Sequence, residues 1–388
     1  MDTIKQGIIL LMKSAITGEK YSLPENFSFE VAEPLIKKNN AHQLCIAGAM
    51  NCGILEGSTC FGRIQDEYCV RFIHSERQLA QLNRVFQAFE ENGIDYLPVK
   101  GCLMKQLYPS HEIRTMGDAD ILIREEQYSN IRAIMMDLGF EETIDASDYD
   151  YTWKHPFLKI ELHKKLFSGY FADYARYFGD IWERASKESG FRYTLSREDT
   201  FVYYFTHFVK HFRFGGIGCN HAADLWVYKR AYPDMDEAYI CREISVLGMD
   251  VFYKNLCQML SAWFEGGSWD EITEMISNQL FDGTWGTKEK YDIAHSVKIM
   301  QEENIAAEKV RKKQILKLLF PSKESMLLNH PKIAKLPLPL AWIARGCYVL
   351  LIDNKKIKKQ SEVLKNQSED KVDSRMKELE AMGLKFTK

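Results

Sequence analysis

The chain has 388 residues, 46% of them hydrophobic, so it can bury large cores and is expected to divide into two or three domains. Its 51 basic and 54 acidic residues nearly cancel, which offers no global attraction to a polyanion and argues against an enzyme acting on long DNA or RNA. Nine cysteines without a Cys-x-x-Cys pair, and an opening Met1-Asp-Thr-Ile-Lys that lacks the charged-then-apolar order of an export signal, point to reduced thiols in a cytoplasm.

Residues 1 to about 75 read mainly as helices, with apolar positions at helical spacing from Ile4 to Met12 and a break near Pro24. A longer amphipathic helix is expected from Ser75 to Asn92, through Leu79, Leu82, Val85, Phe86 and Phe89, stopped by Gly93. Ile94 to Gly101 then reads as a short strand ending at Lys100-Gly101, and Cys102 to Tyr108 has helical spacing. A strand, a glycine and a helix start make a place where backbone N–H groups receive phosphate oxygens.

Arg114 to Ile123 reads as a buried strand that carries Asp118 and Asp120. Strand geometry puts these two carboxylates on one face and turns Ala119, Ile121 and Ile123 to the other, toward a core. Like charges so close resist burial, so the pair suggests a cation between them, and Mg2+ suits all-oxygen ligands. Phe157 to His163 alternates apolar residues with Lys159, Glu161 and His163, so Glu161 repeats the apolar-acid-apolar pattern around Asp120.

After about 170 the pattern is helical and rich in aromatics, which are expected in a core. His207 and His211 fall at i and i+4 on one helix face, but Phe208 stands where the zinc-protease pattern has glutamate, so core or hydrogen-bonding roles fit as well. Phe214 to Gly218 reads as a turn between helices, followed by a segment in which Asp224 orients a neighbour. Leu336 to Ile352 is the longest apolar stretch near the C-terminus; Pro337, Pro339 and Arg345 interrupt it, so neither a membrane span nor a membrane partner is expected. The lysine-rich stretch from Lys355 to Lys388 reads as an exposed helix or frayed end.

Lys100-Gly101, Gly117-Asp-Ala-Asp-Ile121 and Ile160-Glu-Leu-His163 together resemble the three signature elements of the polymerase-beta-like nucleotidyltransferase superfamily. Leu97 to Gly101, Tyr108-Pro109, Arg114, His207, His211 and Gly215-Gly216 are similar to a poorly characterised bacterial branch of it, over about 90 to 230. The resemblance implies an α+β fold, a small nucleotidyltransferase core with a mixed sheet, flanked by helical regions. The expected organisation is an N-terminal helical region over 1–75, the core over 76–170, a helical domain completing the cleft over 171–320, and C-terminal helices and a basic tail over 321–388.

The implied reaction moves a nucleoside monophosphate, AMP by default because ATP is abundant, from an NTP to a hydroxyl of a small-molecule, sugar or protein acceptor, releasing pyrophosphate. Asp118, Asp120 and Glu161 are the implied catalytic and metal-holding acids, with two Mg2+ ions, or Mn2+, as cofactor. Lys100, Gly101, Cys102 and Arg114 would serve the phosphates, and Lys210 or His211 would lie near nucleotide or acceptor. Cys102 stands where the superfamily has serine or glycine, and the interval from Gly101 to Asp118 is longer than usual. A degenerate nucleotide binder and an RNA nucleotidyltransferase are the alternatives.

Overall fold

The computed structural model describes residues 2–143, 149–283, 287–323, 326–327, 333–351 and 368–385. Part of the lysine-rich tail, 355–367 and 386–388, lies outside the described residues. The chain forms two compact units, one of residues 1–212 with 217–285, the other of 213–216 with 286–388.

The first unit opens with three helices, α1 (Thr3–Thr17), α2 (Phe29–Lys38) and α3 (His42–Asn51). The Asp2 carboxylate caps α1 by accepting from the Ile4 and Lys5 N–H groups, and Gly18 ends it in the left-handed region at φ 75°. The long α4 (Phe61–Glu91) begins well before the expected Ser75. Its first half leaves Val70, Phe72 and Ile73 exposed, so no single apolar stripe marks it as helix in sequence. Its second half buries Leu82, Val85 and Phe89.

An ion network ties α2 to α4. The Arg63 guanidinium donates to both oxygens of Glu33 at 2.8 and 2.7 Å, and Lys37 adds a contact at 2.9 Å. These partners, Arg63 foremost, hold the Glu33 carboxyl down at about 2, against about 4.5 for a free glutamate. The stabilisation is therefore complete above pH ~4.5 and lost as the pH falls toward 2. We expect Glu33→Gln to cost on the order of 2 kcal/mol at neutral pH, the half-exposed Arg63 keeping the figure modest, and nothing near pH 2. Chemical denaturation of both proteins across that range is the check, and parallel pH curves would refute it.

Among the described residues the first unit carries a mixed seven-stranded sheet in the order β3-β4-β5-β2-β1-β7-β6. The strands are β1 (Tyr96–Val99), β2 (Ala119–Ile123), β3 (Glu141–Glu142), β4 (Asp150–Lys154), β5 (Lys159–His163), β6 (Ser186–Ser189) and β7 (Arg192–Thr194). β2 runs antiparallel to β1 and parallel to β5, pairing Asp120 with Val99 on one side and with Glu161 on the other. On one face of the sheet Ala119, Ile121, Ile160 and Leu162 pack with α4 and with Ile131 and Met135 of α6 (Tyr128–Asp137); a four-residue helix, α5 (Gly101–Met104), follows β1. The architecture is α+β, as expected.

One expectation is corrected: the chain after about 170 is not helical throughout. The β6–β7 hairpin returns to the sheet, with β7 parallel to β1 and the Tyr96 N–H donating to the Phe191 carbonyl at 3.1 Å. The turn uses Gly190 at φ 50°, and Glu90 of α4 accepts from the Phe191 N–H at 2.9 Å. Four exposed residues in β6 and three half-buried ones in β7 carry no strand signal, so the pairing partner rather than local pattern makes them strands.

A helical layer follows: α7 (Ala172–Phe178), α8 (Arg197–Arg213), α9 (Cys219–Ala231), α10 (Glu237–Val246), α11 (Asp250–Phe264) and α12 (Glu271–Phe281). The glycine-rich 214–218 segment is indeed the turn between α8 and α9. Phe201, Phe205 and Phe212 of α8 are fully buried, matching the expectation of core aromatics. In the second unit the described helices are Lys288–Glu303, Ala307–Leu319, Leu338–Leu351 and Glu369–Ala381.

Candidate active site

The β2–β5 pairing sets the site. In a parallel pair with Asp120 opposite Glu161, side chains of the same parity share a face. Asp120 and Glu161 therefore stand together, with His163 beside them. The donor atoms of these three residues all lie within 4.8 Å of one another. Asp118 sits just outside the strand, and its side chain is 41% exposed where that of Asp120 is 5%. It joins the group through Lys159, whose amino group lies 3.3 Å from Asp118 Oδ2 and 2.5 Å from Glu161 Oε1.

Asp120 is the hub. Lys100 Nζ donates to its Oδ1 at 2.6 Å, and His163 Nε2 lies 2.8 Å from the same oxygen. Burial alone would raise this carboxyl, but Lys100 and His163 outweigh it and hold it well below the usual carboxylate range. Burial lowers and Asp120 raises the Lys100 ammonium, with a net rise. Asp118 goes the other way: burial, then repulsion from Asp120 and Glu161, push its carboxyl up. Three carboxylates thus face two lysines, and the crowding registers on Asp118. The donor set, two carboxylates and an imidazole with a third carboxylate at the rim, fits a divalent cation.

The turn that delivers Lys100 is unusual. Lys100 has φ 50° and ψ -120°, a conformation that favours glycine and costs a side-chain-bearing residue about 1–3 kcal/mol. The positive φ falls on the lysine and not on Gly101. Gly101 answers a packing need instead, since a Cβ there would come within 3.0 Å of Met116 Cγ. The Lys100 carbonyl accepts from the Tyr204 hydroxyl of α8, which fixes the turn from the helical side. Cys102 is buried, and its thiol donates to the Asp120 carbonyl oxygen at 3.6 Å.

The helical layer supplies the rest. Arg114 is committed to Asp224 of α9, donating from Nε at 3.2 Å and Nη2 at 2.8 Å, while the Tyr108 hydroxyl donates to Asp224 Oδ1 at 2.7 Å. Asp224 orients neighbours as expected, whereas Glu112, close to Arg114 in sequence, accepts from the Tyr68 hydroxyl. Lys210 lies over Phe171 and Phe167, 5.4 and 5.9 Å from the ring centroids. Burial, then repulsion from Lys100, bring its ammonium down to about 7. His207 and His211 face each other with their Nε2 atoms 3.2 Å apart, and burial pushes both well below the usual histidine range. Neither belongs to a three-residue donor cluster among the described residues.

Lys159 and Tyr204 escaped sequence reasoning as site residues. The alternation of Lys159, Glu161 and His163 was the available signal for the first. Tyr204 carries no local signal, being one aromatic among several on a core helix.

Residues 58–265, more than half of the chain, match the model of a protein family described as an uncharacterised nucleotidyltransferase. No curated protein and no solved structure matches the chain.

Proposed function

The chain belongs to this nucleotidyltransferase family and is an enzyme of that type, and we propose that it transfers an NMP, AMP in the first instance, from an NTP to an acceptor hydroxyl in a metal-dependent reaction of the polymerase-beta-like kind. The observation that carries this reading is the parallel pairing that stands Glu161 beside the buried Asp120, with Lys100, Lys159 and His163 around them. Asp118, Asp120 and Glu161 would hold one or two Mg2+ ions, or Mn2+ in their place. Bound there, the metal would neutralise charge on the triphosphate and on the departing pyrophosphate.

The acceptor oxygen forms a bond to the α-phosphorus as the bond from that phosphorus to the bridging oxygen breaks, and pyrophosphate leaves. Glu161 takes the proton of the acceptor hydroxyl. The backbone at Gly101 approaches the phosphates, while Lys100 keeps Asp120 ionised. Lys210 and His211 stand on the helical wall toward nucleotide or acceptor. Arg114 acts through Asp224 and Tyr108 to position the segment that ends at Asp118.

Calorimetric binding of a non-hydrolysable ATP analogue with Mg2+ tests this without knowledge of the acceptor. Binding should be metal-dependent and should be lost in Asp118→Ala and Asp120→Ala; unchanged affinity in both would refute the site.

Lys210 adds a pH signature. A lysine that titrates near 7 is charged below that pH, and a triphosphate beside it favours the charged form. Affinity for the analogue should therefore fall as the pH rises from 7 to 8.5, with proton uptake on binding. Lys210→Met should flatten that slope, and a slope identical to that of the unmodified protein would remove Lys210 from the nucleotide site.

A further inference from the structure

The second unit carries an apolar helix with two different faces. On one side of Leu338–Leu351, Ala341 and Leu338 pack with Met326, Ala334 and Ile333 in a small core, and Trp342 donates its indole N–H to the Pro321 carbonyl at 2.8 Å. On the other side Leu336, Leu340 and Ile343 are 44, 54 and 64% exposed, and Cys347 is exposed too. Leu340, Ile343 and Cys347 are spaced by three and four residues on one helix face, and Leu336 is exposed just before the helix. The helix Ala307–Leu319 ends with exposed Leu316, Leu319 and Phe320, the last in edge contact with Trp342 on the packed side at 5.1 Å. A soluble surface does not ordinarily present aliphatic side chains in such a run.

Charge is distributed in the same place. Residues 309–359 contain 13 lysines and arginines against two acids, Glu324 and Asp353; the rest of the chain holds the remaining 38 basic and 52 acidic residues. A chain that is acidic elsewhere is thus basic along the stretch of sequence that carries the exposed apolar helix; Arg311, Lys312 and Lys313 pair with Glu369, Glu308 and Glu303, while Lys317, Lys323 and Lys335 are exposed. RNA would use the charge but gain nothing from Leu340 and Ile343, and an ordinary protein partner would use the aliphatic stripe without needing the excess of cations. An anionic bilayer surface uses both, taking the aliphatic side chains below the headgroups and the lysines among them. No helix among the described residues is long and apolar enough to cross a membrane, so the helix would lie on the surface.

We propose that the Leu338–Leu351 helix docks this enzyme on an anionic lipid surface through Leu336, Leu340 and Ile343, with Lys317, Lys323 and Lys335 supplying positive charge. This departs from the expectation of no membrane partner, which rested on the prolines and Arg345 breaking a span and not on which side chains are exposed. The proposal does not depend on the nucleotide site.

Co-sedimentation of the full chain with vesicles of phosphatidylcholine, alone or with about 30% phosphatidylserine, tests it. The protein should sediment with the anionic vesicles only, and less so as salt rises from about 0.1 to about 0.5 M. The double variant Leu340→Asp with Ile343→Asp should lower partitioning roughly tenfold or more, with melting temperature and nucleotide-analogue binding unchanged because both positions are exposed. Replacement of the exposed Lys317, Lys323 and Lys335 by glutamine should weaken binding to the anionic vesicles and leave the melting curve in place. Equal sedimentation with neutral vesicles, no sedimentation with either, or full binding by the double variant would overturn the proposal. So would a dimer that the double variant converts to monomer without vesicle binding, or a salt-sensitive complex with single-stranded RNA in place of lipid.

Discussion

Asp120→Ala should abolish nucleotidyl transfer, by roughly 10^3-fold or more, and should also destabilise the fold by about 3–5 kcal/mol, because it strips a buried partner from Lys100 and His163. Asp118→Asn should cost comparable activity and yet leave the protein as stable as before or more stable. Asp118 is the carboxylate that burial and then its acidic neighbours push up, so removing its charge relieves the cost of burying it and the repulsion from Asp120 and Glu161. The gain is at most about 1 kcal/mol, since the rim position is screened by water. Two acids two residues apart therefore have opposite signs on the stability axis and the same sign on the activity axis. Denaturant unfolding alongside turnover or analogue binding would show it. Equal destabilisation by both substitutions would mean that Asp118 is held by partners as Asp120 is, contrary to the geometry.

The second large effect lies outside the acids. Asp224→Ala should cost about 3–5 kcal/mol, since it leaves the buried Arg114 guanidinium without its counter-charge and the Tyr108 hydroxyl without its acceptor. Arg114→Lys should also destabilise, because an ammonium cannot make the two-point contact to Asp224 Oδ1 and Oδ2. Both variants should lose nucleotide-analogue affinity by less than they lose stability, since Arg114 acts on the segment leading to Asp118 and not on the triphosphate. An Arg114→Lys protein that melts normally but has lost the analogue would instead make Arg114 a phosphate ligand.

Much of the fold could be read in advance where alternation was strong. Ala119 to Ile123 and Lys159 to His163 alternate clearly enough to mark strands, and the glycine after Ile94 to Lys100 marks the turn. What sequence does not state is pairing. That β2 lies parallel to β5, with Asp120 opposite Glu161, is a long-range fact with no local trace. The same holds for the β6–β7 hairpin, whose short polar strands exist because β1 offers an edge. At the site, residue types were legible and partners were not: Arg114 could be weighed against Glu112 nearby, whereas Asp224, which it contacts, lies 110 positions away. The exposed stripe on Leu338–Leu351 was hidden for a related reason, since an apolar helix face is indistinguishable in sequence from a buried one until its packing is known.

The order of the sheet also dictates a schedule. β1 sits between β2 and β7, and β7 is reached only at Arg192, while the α8 side chains that meet the Lys100 turn come later still. Chains emerge from the ribosome N-terminus first and domains form as units. A nascent chain that has just released His163 therefore holds every proposed metal-binding carboxylate but none of the helical wall. During that interval the acids are present without the α8 residue that contacts the Lys100 turn. The contact that fixes the Lys100 turn from the helical side forms only after the segment from Arg192 to Phe212 has emerged, so those residues set the order in which the turn and its support come together.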